Sequence, residues 1–176
     1  MADVGKYTKT LIGINVLVFL AQLASGDAVT SLLALYPPTV FSTPWTILAS
    51  GFAHADWIHI LLNMYSLWIF GDALERILGS KKFLWLYLGS IVGGSLAFIL
   101  FDPQGAAVGA SGGIFGLMGA YFVVMQALGY RSSQMLTLIG INVLLGFVNP
   151  GIAVSAHLGG LVAGAAIAWY FVKARK

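Results

Sequence analysis

The sequence predicts an all-α polytopic membrane protein of six spans, on three observations. Only 9% of its 176 residues are charged and 59% are apolar, against about 25% and 45–50% in soluble domains. The mean hydropathy is +0.91. Apolar runs of helix length recur between turn signals, and a spanning helix needs about 20 largely apolar residues, so six would occupy roughly 120. Such a surface excludes an ordinary cytosolic domain and a disordered tail. Nine scattered cations form no basic stripe, which excludes nucleic acid as a partner. The chain has no cysteine, which removes disulfides, thiolate nucleophiles and Cys-ligated metals.

The first span runs from about residue 10 to 24 and stops at Ser25-Gly26-Asp27. No small-residue cleavage site interrupts it, so it is not expected to be a removable signal peptide. The stretch up to Trp57 contains Pro37-Pro38 and Pro44, which forbid one continuous helix. Trp45 and Trp57 suit a membrane interface. The second span is expected over 57–78, the third over 83–101 and the fourth over 111–128. The fifth, 134–148, is the shortest at roughly 22 Å by the helical rise. Asn149-Pro150-Gly151 breaks the chain, and the sixth covers 151–172. The whole chain reads as one membrane domain.

Charge placement gives the orientation. Lys6, Lys9, Arg76, Lys81, Lys82, Arg131, Lys173, Arg175 and Lys176 all fall on the side that carries both termini. The opposite loops carry Asp27, Asp56 and Asp102. By the positive-inside rule both termini are expected in the cytoplasm.

Polar groups inside spans are expensive and are functional candidates. They are His59 and Asn63 on span two, Ser111 at the start of span four and His157 on span six, with His54 just before span two. Spans two, four and six run in one direction, so these groups share one depth in the outer leaflet. A serine becomes a nucleophile beside a base, usually histidine. His59 and Asn63, four residues apart on one helix face, can aim donors at a developing oxyanion. Gly109-Ala110-Ser111-Gly112-Gly113 supplies a helix start with free N–H groups beside Ser111. Each residue alone has a plainer reading: serine as a small packing residue, asparagine as interhelical glue, histidine as a structural hydrogen bond. Their common depth favours catalysis. Gly160 and Gly164 are read as a small-residue seam that brings span six against span four. No H-E-x-x-H is present, and no pair of aspartates lies deep in spans, so neither zinc nor paired-aspartate chemistry is expected. No metal or other cofactor is called for. No carboxylate is positioned to orient His157, which favours a Ser-His dyad over a triad.

Between about Pro44 and Trp169 the chain resembles the rhomboid intramembrane serine proteases. The resemblance rests on His54-x4-His59-x3-Asn63, Gly71-x3-Glu75-x3-Gly79, Gly109-Ala110-Ser111-Gly112 and Ala156-His157-x2-Gly160-x3-Gly164. It implies Ser111 as nucleophile and His157 as general base. It also implies an oxyanion region of Gly109, His59, Asn63 and the Ser111 amide, with His54 lining it. The segment before span two resembles an interfacial first loop, and the fifth span with its following cap resembles the element that admits substrate. Family members often carry Arg after the loop tryptophan and Tyr four residues after the nucleophile; here Thr46 and Phe115 stand there. Phe115 keeps an aromatic face for the base. The expected partners are the lipid bilayer and transmembrane protein substrates. The expected location is the plasma (inner) membrane of a prokaryote. Two rival readings fit less well. A catalytically silent escort relative usually lacks the Ser or the His, and a transporter needs a polar path through the inner leaflet.

Overall fold

A computed structural model describes residues 5–131, 133–149 and 151–174. The expectations placed on Pro150, Arg175 and Lys176 lie outside the described residues. Eight α-helices are present among them: α1 Lys6–Ser25, α2 Asp27–Leu33, α3 Thr46–Ala49, α4 Trp57–Leu78, α5 Ser80–Phe101, α6 Ser111–Ala127, α7 Ser133–Val148 and α8 Val154–Lys173. Helices α1, α5 and α8 are long and apolar enough to cross a membrane by length and composition alone, and α6 and α7 are shorter apolar helices. Apolar side chains such as Leu17, Leu61, Trp85 and Val162 face outward, as a lipid solvent requires. The molecule is an all-helical membrane bundle.

Two ends differ from the sequence reading. Helix α1 begins at Lys6 because a Glu75 carboxylate from α4 accepts the Tyr7 and Thr8 N–H groups at 3.1 and 2.9 Å, satisfying donors a helix start leaves open. Helix α8 begins at Val154, after an irregular segment through Ala153 (φ −76°, ψ 83°). The proline-rich segment is not a plain loop: it holds α2, α3 and two 3-10 turns at Pro37–Thr39 and Ser50–Phe52.

Helix α1 buries Thr8, Leu11, Asn15, Phe19 and Gln22. That is a stripe at the three-and-four spacing of one helix face, and it lies along α4. Thr8 meets Gly71 and Glu75 at one end, while Phe19 packs edge-on against Trp57 at the other. The two helices are therefore antiparallel.

Small residues set the centre. A Cβ on Gly160 would fall against the Gly112 carbonyl, and one on Gly164 against that of Gly116, so α6 and α8 touch backbone to backbone. The pairs 112–160 and 116–164 rise together, so the helices are parallel. Helix α5 crosses both in the opposite sense: Gly94 meets Gly112 and Ala156, and Ser90 meets Gly116. Without a hydrophobic force between helices in lipid, such close van der Waals contact is the main source of association. Tyr87, Phe83, Leu86 and Leu117 fill the core beside this seam.

Adding one methyl to the seam tests it. Gly160→Ala should destabilise the fold by about 1–3 kcal/mol, the usual cost of overpacking. Gly13→Ala, where a Cβ meets nothing within 4 Å, should stay within about 1 kcal/mol of the parent. Thermal denaturation in detergent reads both. Equal midpoints for Gly160→Ala and the parent would remove the seam from this role.

Candidate active site

Ser111 is the first residue of α6, at the exit of an irregular segment held from two sides. Ala107 exchanges two backbone hydrogen bonds with Leu35, both at 2.9 Å, and the Gly109 N–H donates to the Ser50 carbonyl at 2.9 Å. These bonds satisfy backbone that would be costly in lipid if left open. Gly109 has φ +133°, a region that disfavours side chains. A Cβ there would meet His59 Nε2 at 2.7 Å. The absent side chain is what lets the His59 ring approach Ser111.

Across the α6–α8 seam, His157 Nε2 lies 2.8 Å from Ser111 Oγ. His157 is buried, and the Phe115 ring, one turn below Ser111, stacks on it at 4.2 Å with a 14° interplanar angle. Its other nitrogen, Nδ1, is buried and has no hydrogen-bond partner among the described residues. With Nε2 accepting the serine proton, the ring's own proton sits on Nδ1. No carboxylate holds it there.

Helix α4 contributes the opposite wall. Asp56 caps it, with Oδ1 accepting the His59 N–H at 2.8 Å. His59 Nδ1 accepts from the Ala55 N–H at 3.4 Å, which leaves Nε2 as the donor facing Gly109. Asn63 is buried on the same face, but its amide donates back to the His59 carbonyl at 2.9 Å. The structure thus gathers Ser111, His157, Phe115, His59 and Gly109, and keeps the Asn63 amide bonded within its own helix. His54 packs edge-on against His59 with centroids 5.1 Å apart. Burial, reinforced by the neighbouring His59, lowers the His54 pKa to about 4, so it is neutral at neutral pH. Gly160 and Gly164 lie at the seam, below Ser111 and His157. Behind Ser111, a cavity of about 30 Å³ is lined by Ser50, Ser95, Gly109 and Gly112 among others. That is room for about one or two waters.

Gln22 was not singled out from the sequence. Its amide clamps the backbone of His54, donating to the carbonyl at 3.0 Å and accepting the N–H at 2.9 Å. An amide inside an apolar span was the available signal. The Thr46 position does not leave the first loop loose: Thr46 Oγ1 donates to the Thr43 carbonyl at 2.7 Å, and Trp45 Nε1 to that of Leu32 at 3.0 Å. Ser95 on α5 donates to the Ile47 carbonyl at 2.6 Å. Among the described residues no group of three His, Asp or Glu side chains could hold a metal ion.

An all-helical bundle with apolar outer faces defines a class, the helical membrane proteins, and this one carries a serine–histidine pair at its seam. Comparison with known proteins narrows it. The Rhomboid domain family matches residues 42–174. YdcA of Bacillus subtilis is 37% identical over 138 residues, covering 75% of this chain and 69% of YdcA. The rhomboid protease GluP of the same organism is 33% identical over 171 residues, 90% of this chain but 33% of GluP. The rhomboid protease GlpG of Haemophilus influenzae is 29% identical over 186 residues, 99% of this chain and 94% of GlpG. The chain belongs to the rhomboid family, and with it to the membrane-integral proteases.

Proposed function

We propose that this protein is a serine endopeptidase that cleaves transmembrane segments of other membrane proteins with a Ser111–His157 dyad. The observation that carries the reading is the 2.8 Å contact between His157 Nε2 and Ser111 Oγ, at the seam of two helices whose backbones touch. Ser111 Oγ attacks the scissile carbonyl carbon as His157 Nε2 takes its proton. The tetrahedral oxyanion meets the Ser111 N–H, one of the open donors of a helix start, and His59 Nε2. Asn63 joins once its amide turns from the His59 carbonyl. The protonated His157 then gives its proton to the leaving amine, and the C–N bond breaks. A water, which the cavity behind Ser111 can accommodate, attacks the acyl-enzyme by the same steps in reverse. The peptide bonds of a substrate helix are engaged in its own hydrogen bonds, so local unwinding must precede attack. Segments with Gly or Pro near the cleavage point are therefore the best substrates.

The reporter assay is cleavage of a transmembrane substrate in liposomes. Ser111→Ala and His157→Ala should each abolish cleavage while the protein remains folded. Asn63→Ala should lower turnover by roughly 10- to 1,000-fold, as for loss of one oxyanion donor. Substantial cleavage by Ser111→Ala or His157→Ala would exclude the dyad.

The same reading sets both termini in the cytoplasm of a prokaryotic cell, and the reactive pocket toward the outer side of its plasma membrane. Its support is the segregation of the cations: Lys6, Lys9, Arg76, Lys81, Lys82 and Lys173 against Asp27, Asp56 and Asp102. Because the chain has no cysteine, single introduced cysteines report cleanly. Ser42→Cys should react with an impermeant thiol reagent added to intact cells, and Ser80→Cys should not. The opposite pattern would invert the topology.

A further inference from the structure

His157 lacks the carboxylate partner that usually fixes a catalytic imidazole. Its Nδ1 is unpartnered among the described residues, so the ring is oriented by Phe115 and by wherever the first turn of α8 puts its backbone. That turn has no cap of its own. Ala153 contributes no capping side chain, and no acidic residue stands in the first turn. Instead the Ser155 hydroxyl, two residues before His157, donates to Oδ2 of Asp102, the residue that follows α5. Asp102 is itself pinned: its N–H donates to the Phe98 carbonyl at 2.8 Å, and its carbonyl accepts from the Gly105 N–H at 2.9 Å. A carboxylate beside the start of a helix is also favoured by the helix dipole. Packing from α7 backs this turn at Val154, which lies against Gly146, and not along its Asp102–Ser155 side. A groove of about 780 Å³ separates α7 from α5 and α8 there, lined by Phe101, Phe147, Leu158 and Val162 as well as Asp102 and Ser155.

We infer that Asp102 is a positioning residue: through Ser155 it holds the first turn of α8 so that His157 Nε2 stays in line with Ser111 Oγ. It touches no reacting atom and acts only through the helix. The inference rests on the dyad reading above. It assigns the orienting work of a triad's third carboxylate to a contact made with the backbone carrier of the imidazole rather than with the ring.

The experiment is a double-mutant cycle on the transmembrane reporter in liposomes, with Asp102→Ala, Ser155→Ala and the double variant, plus Asp102→Asn and Ser111→Ala. Folded fraction is measured for each by thermal denaturation. Per folded enzyme, either alanine variant should lower kcat roughly 10- to 100-fold with KM within about twofold, because small misplacements of catalytic groups cost rate rather than binding. The double variant should be no slower than the slower single one, as expected of two residues in one contact. Asp102→Asn, which keeps an acceptor oxygen for Ser155, should recover most of the lost kcat. Parental kcat in both single variants, losses that multiply in the double variant, or losses explained by folded fraction alone would each overturn the positioning role. If Ser111→Ala still cleaves, the dyad reading itself fails. If Ser111→Ala is inactive and Asp102→Ala retains full kcat, only the role of Asp102 fails.

Discussion

The site depends on how closely two helix backbones can approach. Ser111 and His157 are 46 residues apart in sequence, and their side chains are short. They come within hydrogen-bond reach because α6 and α8 lie with Gly112 against Gly160 and Gly116 against Gly164. A side chain at Gly116, Gly160 or Gly164 would run into the facing backbone and separate the helices, and Ser111 and His157 with them. The same glycines that lower helix propensity are therefore what the chemistry requires. Lipid makes the arrangement tenable, because backbone hydrogen bonds inside a helix have no water competing for them.

A second tier of contacts fixes the walls around that seam. At the start of α1, Glu75 gathers the Tyr7 and Thr8 N–H groups and the hydroxyls of Thr8 and Ser80. At the other end of α1, Gln22 clamps the His54 backbone. One helix is thus tied to α4 at one end and to the segment just before it at the other, which steadies the wall carrying His59 and Asn63. The opposite wall is looser. Helix α7 buries only Met135 and Gly146 among its described residues, and beside the Gly146–Val154 contact a groove leaves Ser155 to Asp102. A close-packed seam, a tied wall and a sparsely buried flank suit the proposed cleavage, in which a substrate helix enters while Ser111 and His157 stay aligned.

Much of this was legible in the sequence for physical reasons. Apolar runs, prolines and glycines located the helices, since a chain in lipid can do little but form them. The few polar residues within the runs stood out because each is costly there, and a shared helix direction brought Ser111, His157, His59 and Asn63 to one depth. Contacts that depend on three-dimensional approach were not legible. Nothing in the spacing of Asn63 says that its amide turns to the His59 carbonyl. Nothing local to Asp102 says that it meets Ser155, 53 residues on. Gln22 was visible as a polar residue in an apolar span, but its partner was not. The start of α1 at Lys6 was not legible because the carboxylate that accepts its first N–H groups comes from another helix.

Phosphonylation by a small fluorophosphonate, in which serine Oγ bonds to phosphorus and fluoride leaves, tests the central claim most directly, because it needs the activated serine and no substrate helix. The purified protein is treated with a fluorophosphonate, and the adduct is located by mass spectrometry of its peptides. A single adduct on Ser111, formed in the parent and lost in His157→Ala, is the predicted result. An adduct on another residue, or equal modification of Ser111 with and without the histidine, would contradict a nucleophile activated across the α6–α8 seam.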